Sequence, residues 1–249
     1  MQDQTQAGQD VLSAYFFQIA DTAQTKACDP SYALFSMIRE VTAAAAQILA
    51  SAAVTCESPV PDCASGCSFC CHSRIHVIPL EAVVICNHVQ KHFSLEAVQG
   101  LKNRIRINLT HTRGRSLAQR VAVKDQTPCI FLDHHACSIY DQRPIICRTW
   151  NSLNRQDCEA AFISGNKNAE IPCLSAPNYV YTLAREVVQA ACETLHLETG
   201  RYELVSAMDR CLNMADAPSD WTGGCTVFGK TGSESREATE KHSEKGEGR

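Results

Sequence analysis

Residues 62–74 read DCASGCSFCCHSR and place Cys63, Cys67, Cys70 and Cys71 within nine positions, two of them adjacent. Sulfur at that density has to converge on something: a disulfide framework, a structural zinc, or a reactive metal cluster. The rest of the chain must wrap around the answer. There are 15 cysteines in 249 residues. The first residues, MQDQTQAGQD, are polar and lack the basic-then-apolar order of a secretory signal. The expected compartment is therefore the reducing cytoplasm, where clustered cysteines bind metals or catalyse more often than they cross-link. A chain of this length does not need disulfides to stand, and an odd cysteine total argues further against a fully paired framework.

A second group lies downstream. TPCIFLDHHACSIYDQRPIICRTW, residues 127–150, carries Cys129, Cys137 and Cys147 at spacings of eight and ten. A closed zinc site takes four ligands, commonly from two C-x2-4-C knuckles. Cys67-x2-Cys70 would make one knuckle, but the second group offers no matching pair. Neighbouring side chains tend to diverge, so the Cys70-Cys71 doublet is expected to serve two metal atoms, or one metal and one reactive thiol. Seven thiolates exceed the needs of one mononuclear site, which implies a polynuclear cluster or two sites. Such an anionic group calls for nearby cations, and Arg74, Arg143 and Arg148 flank it in sequence. His72, His76, His134 and His135 are further candidate ligands, His72 first among them. Cys28, Cys86, Cys192 and Cys211 lie in apolar helical segments and read as core residues. Cys56 and Cys225 have no local partner at ligand spacing.

The expected fold is mainly α: a helical scaffold around a loop-rich, small-hairpin metal-binding core. Residues 1–58 supply N-terminal helices, the second opened by Asp29 and Pro30. Residues 59–177 form the cysteine core. Within it, RIHVIPL is extended, Pro79 opens a helix, and Ser94 caps another running to about Gln119 with an interruption near Gly114. CIFL and CSIY are two strand-like pieces around a polar turn. A loop-rich stretch then runs to Pro177. Residues 178–214 give C-terminal helices, one capped by Asn178 and stopped by Gly200, the last spanning Arg201 to Asn213. Residues 215–249 are mostly a disordered tail, polar from Lys230 onward. DWTGGCTVFG before it carries Trp221 and Phe228, two apolar groups for folding back onto the body. Hydrophobic content is 45%, but no uninterrupted apolar run approaches a membrane span. With a net charge of −4 and a pI near 6.1, neither a nucleic acid nor a membrane is expected as partner.

CASGCSFCC, an extended piece, a PLEA helix and PCIFLDHHACSIYDQRPIICR together closely resemble the YkgJ-type cysteine-cluster family, named for a CxxCxxCC signature and described as chelating zinc or iron. The resemblance covers roughly residues 60–150. The x3 spacing between Cys63 and Cys67 departs from the x2 of the name. Carried over, the resemblance implies Cys63, Cys67, Cys70, Cys71, Cys129, Cys137 and Cys147 as metal ligands, accompanied by Tyr140, Arg143-Pro144 and Arg148. A relative, the flagellin lysine-N-methylase, looks like this domain carrying an iron–sulfur cluster and using S-adenosylmethionine. Three functions compete. One is an iron–sulfur or iron protein working in redox or partner-modification chemistry, which is favoured. The second is a zinc-binding structural or storage protein. The third is an S-adenosylmethionine-dependent methylase acting on a protein or peptide, with Arg143 and Arg148 holding a cofactor carboxylate. Cys158 and Cys173, outside the signature, are extra ligands or plain loop thiols. Sequence leaves open whether the protein is an enzyme.

Overall fold

A computed structural model describes residues 2–25, 29–55, 59–64, 66–166 and 168–229. Cys28, Cys56 and the polar tail from Lys230 lie outside the described residues. The second helix, α2 (Pro30–Thr55), starts as its sequence dictates: the Asp29 carboxylate accepts the Tyr32 amide at 2.7 Å, and Pro30 has no amide to strand. α2 packs against α1 (Gln2–Thr25) and against α8 (Ser175–Thr194). Small residues face this junction: Ala20, Ala23, Ala44, Ala45 and Ala184 are all buried. They let the backbones approach closely enough for Phe16, Met37 and Val41 to fill the space between them. The 24 residues Pro30–Ala53 have a mean hydropathy of 1.3, long and apolar enough to cross a membrane by length and composition. Arg39, Glu40 and Gln47 interrupt the run. In the fold this helix lies against α1, α8, α3 and α10.

A second layer comprises α3 (Pro79–His92), α4 (Leu95–Thr112), α9 (Leu204–Asn213) and α10 (Ala217–Thr222), with α9 touching each of the other three. Both layers share one continuous hydrophobic core, from Phe16 to Phe228. Cys86, Cys192 and Cys211 are buried in it, as their apolar surroundings imply, and the Cys86 and Cys211 thiols hydrogen-bond between α3 and α9. Trp221 and Phe228 are buried as well. The Glu198 carboxylate clasps this last segment by accepting the Val227 and Phe228 amides at 2.8 and 3.0 Å.

Ser94 caps α4, and the chain breaks where Gly114 adopts a left-handed φ of 71°. Ser116 and Gln119 then cap a short α5 (Leu117–Val121) reciprocally. α8 begins at Ser175, three residues before the expected Asn178, because Pro177 is harmless in a first turn whose amides need no partner. Asn178 accepts the Thr182 hydroxyl instead. The helix also stops before Gly200: His196 turns left-handed (φ 56°) and the Leu197 amide reaches back to the Cys192 carbonyl. Among the described residues there are ten α-helices and two two-stranded antiparallel sheets, so the fold is mainly α. β1 (His76–Val77) pairs with β4 (Tyr202–Glu203), and β2 (Leu132–Asp133) with β3 (Ala136–Cys137). The hairpin is thus narrower than CIFL and CSIY suggested.

One carboxylate joins this scaffold to the cysteine-bearing loops. Ile78, at the cap of α3, has no side-chain acceptor, so Glu81 reaches back and accepts its amide at 2.8 Å. The other oxygen of Glu81 accepts the Ile145 amide at 2.6 Å, at the start of α6 (Ile145–Arg148). Glu81 is 3% exposed. Burial pushes its carboxyl up, against the opposing pull of the two amides, Arg185 and Arg148. Replacing Glu81 with Ala strands two buried amides. That variant should lose about 2–4 kcal/mol of stability in urea unfolding, and Glu81→Gln, which keeps one acceptor oxygen, should lose less.

Candidate metal centre

The first cysteine group is held by turns. The chain around Cys67 is folded by a 3.0 Å hydrogen bond from its amide to the Ala64 carbonyl. A 3-10 turn, Phe69–His72, then presents Cys70 and Cys71, with the Cys71 amide on the Ser68 carbonyl at 2.9 Å. This tight turn brings the two sulfurs into hydrogen-bond contact. The expectation that neighbouring side chains diverge is overturned here: a 3-10 turn winds more tightly than an extended segment. The Cys129 amide donates to the Cys71 carbonyl at 2.6 Å, and this bond joins the two cysteine groups.

The second group is set up for sulfur. The Phe131 and Leu132 amides donate to the Cys129 sulfur, and the Ile139 amide to that of Cys137. Cys147 sits on α6, whose first amide Glu81 fixes. Cys70 is the hub. When ionised, it would raise the thiol pKa of Cys129, Cys137, Cys147 and Cys63. The residue as a whole is solvent-exposed while its sulfur is desolvated.

Without a cation these thiols hold their protons. The hydrogen bond that the Cys70 thiol donates to Cys71, then burial, pushes Cys70 strongly up. Burial pushes Cys129 up to about 11 and Cys147 higher still, and raises Cys137. A bound metal inverts that balance, since it stabilises the thiolates that burial disfavours. Among the described residues no three His, Cys, Asp or Glu side chains converge as they stand on a position for one ion, so closure requires the thiols to rotate inward. The donor chemistry nonetheless fits a thiophilic metal: free thiols, amides already aimed at sulfur, and a cation beside them.

That cation is Arg143. Its guanidinium lies 3.8 Å over the Tyr140 ring, it attracts the Cys70 and Cys137 sulfurs, and its buried Nε has no hydrogen-bond partner. Arg148 has a different task. It donates to the Arg143 and Asp141 carbonyls at 3.3 and 2.6 Å and hydrogen-bonds Tyr181, tying the Tyr140–Gln142 turn to α8. Arg74 pairs with Glu203, 3.7 Å distant, which also accepts from Arg120 at 2.7 Å.

The histidines separate likewise. His72 Nδ1 lies 3.1 Å from the Lys124 carbonyl, and its ring packs 4.7 Å from Phe162. His76 is on β1, paired with Glu203. His134 and His135 form the hairpin turn, His134 being 97% exposed and His135 contacting Ser68 Oγ at 3.2 Å.

Sequence reasoning passed over three α-helices: α6, α10, which lies in the stretch read as mostly disordered tail, and α7. α7 (Arg155–Ser164) lies in the stretch read as loop, although Asn154 caps its start and Gly165, at φ 64°, its end. Those two residues were the available signal; weak amphipathicity hid the helix between them. Phe162 docks α7 against the 3-10 turn, 5.8 Å from Phe69. The helix carries Cys158. Cys173, farther on, forms an isolated bridge with Ser152.

His134 and His135 both take left-handed φ values, 44° and 64°, in a two-residue turn that favours Asn-Gly. The double replacement His134→Asn, His135→Gly should raise stability by about 1 kcal/mol and leave metal content unchanged, as read by thermal melting and elemental analysis. A fall in metal content would make either histidine a ligand.

Neither a curated protein nor a solved structure matches the chain. A protein-family match runs from residue 62 to residue 169 and takes in both cysteine groups and α7. Over residues 62–169 the chain is thus similar to the CxxCxxCC family, whose description is "Putative zinc- or iron-chelating domain".

Proposed function

We propose that the domain holds iron, as an iron–sulfur cluster or as iron alone, on the thiolates of Cys70, Cys71, Cys129, Cys137 and Cys147. Cys63 and Cys67 lie on the adjoining loop. One observation carries this reading: four thiols gather around that of Cys70, by hydrogen bond or electrostatic reach. Five sulfurs are more than a tetrahedral zinc takes. They suit a centre with several metal atoms, which needs thiolate donors and hydrogen bonds to them.

An iron centre bound here would supply reversible one-electron chemistry. The chain's own part is electrostatic. Amides at Cys129 and Cys137 stabilise negative sulfur, and Arg143 offsets charge that burial makes costly. The surroundings suit contact with a protein or peptide partner: Tyr140 is 60% and Trp150 42% exposed, in the same stretch as Cys147. The reading also places the protein in the cytoplasm, where its thiols stay reduced.

The test is anaerobic purification followed by iron, zinc and acid-labile sulfide analysis per chain. Iron with comparable sulfide and a brown colour is the expected result. Stoichiometric zinc without sulfide would overturn the iron reading. Cys137→Ser and Cys147→Ser should each remove most of the iron, and Cys225→Ser, after α10, should leave it unchanged. Since the free thiols hold their protons, loading should release protons. Affinity should therefore rise between about pH 6 and 8, measured by competition with a chelator whose own pH dependence is known.

A further inference from the structure

Four more thiols lie beside the five around Cys70, held by a different piece of backbone. Three distant segments are stitched together at Ser152. The Asp62 amide donates to the Ser152 carbonyl at 2.9 Å, and the Ser152 amide donates to the Cys63 sulfur at 3.2 Å. Ser152 also bridges to Cys173 in antiparallel fashion. Flanking bonds from Leu153 to the Pro172 carbonyl (2.8 Å) and from Leu174 to the Asn151 carbonyl (3.1 Å) hold that bridge. The Asn151 amide donates to the Cys173 sulfur. The Arg155 amide donates to the Asp62 carboxylate at 2.8 Å where α7 begins, and Cys158 lies in the first turns of that helix.

We propose that Cys63, Cys67, Cys158 and Cys173 form a second site, for a single zinc-type divalent ion, separate from the centre around Cys70. Cys63-x3-Cys67 is a knuckle of the permitted spacing, and four thiolates make the closed tetrahedral donor set of a structural zinc. Gly66 inside the knuckle takes φ 88°, a left-handed conformation that suits glycine, and a Cβ there would meet nothing within 4 Å. Amides already point at Cys63 and Cys173, an arrangement that favours thiolates and orients them. Cys158 is electrostatically coupled to both, and Cys63 feels Cys67 and Cys158 more than it feels Cys70. Cys173 lies beyond the matched family segment, so the site would fasten the domain to the start of α8.

The full-length chain tests this without mutation. Metal-free protein is titrated anaerobically with Zn2+ and pulsed with iodoacetamide, and each cysteine's alkylation is read by peptide mass spectrometry. Cys63, Cys67, Cys158 and Cys173 should become at least about tenfold less reactive together, in a stoichiometric step apart from that of Cys129, Cys137 and Cys147. Alkylation of Cys158 and Cys173 at the same rate with and without zinc would overturn the proposal. Protection of all nine thiols in one step would also overturn it, in favour of a single centre. Cys158→Ser and Cys173→Ser should each abolish only their own step. Zinc without sulfide at the inner centre would defeat the iron reading yet leave this step in place, so the two can fail separately.

Discussion

The cysteine loops depend on a carboxylate that binds no metal. Glu81 satisfies the amide of Ile78, at the cap of α3, with one oxygen and the first amide of α6 with the other. Those helices belong to different parts of the chain, one to the scaffold and one to the ligand-bearing segment. Holding both from a buried position fixes where Cys147 sits relative to the core. A charged group is an expensive way to make that joint, because it must be desolvated. It persists because Ile78 and Pro144 have no side-chain acceptors for the helix ends they precede. Arg185 and Arg148 share the cost by facing the same carboxylate.

Much of this architecture could be read from the sequence, for identifiable reasons. Asp29-Pro30, Pro79 and Ser94 are local signals whose meaning depends on a few neighbouring residues, and each helix starts where they say. The thiol groups were legible through their spacing. What sequence could not show was decided by tertiary contacts. Neighbouring cysteines were expected to point apart, but a 3-10 turn brings the two sulfurs together. Arg74 stands beside the cluster in sequence, yet a buried glutamate on another element claims it. Helix α7 has good caps and a poor apolar stripe; its stability comes from Phe162 against the 3-10 turn, a contact no local window reveals.

The thiols illustrate how burial and metal binding oppose one another. Its hydrogen bond to Cys71 and burial make Cys70 harder to ionise, and burial with neighbouring thiols does the same to Cys129 and Cys147. The same crowding concentrates donors once a cation is present. Amides and Arg143 moderate this conflict without removing it. The hydrophobic core itself reaches into these loops through Ile130, Phe131, Ile139 and Ile145, with Cys129 and Cys137 packed against it, so the sulfurs sit on the edge of the packed interior.

The bond from the Cys129 amide to the Cys71 carbonyl sets the order of events during synthesis. Cys71 leaves the ribosome well before Cys129, and Cys147 follows later still. Glu81 waits equally long for Ile145. Cys63, Cys67, Cys70 and Cys71 therefore emerge into the cell as an open, unshielded group with neither the second half of the centre nor the helix that supports it. Until residue 147 has emerged, such a segment is at its most vulnerable to oxidants and to stray thiophilic metals. The finished fold can protect only a chain that has first been kept reduced.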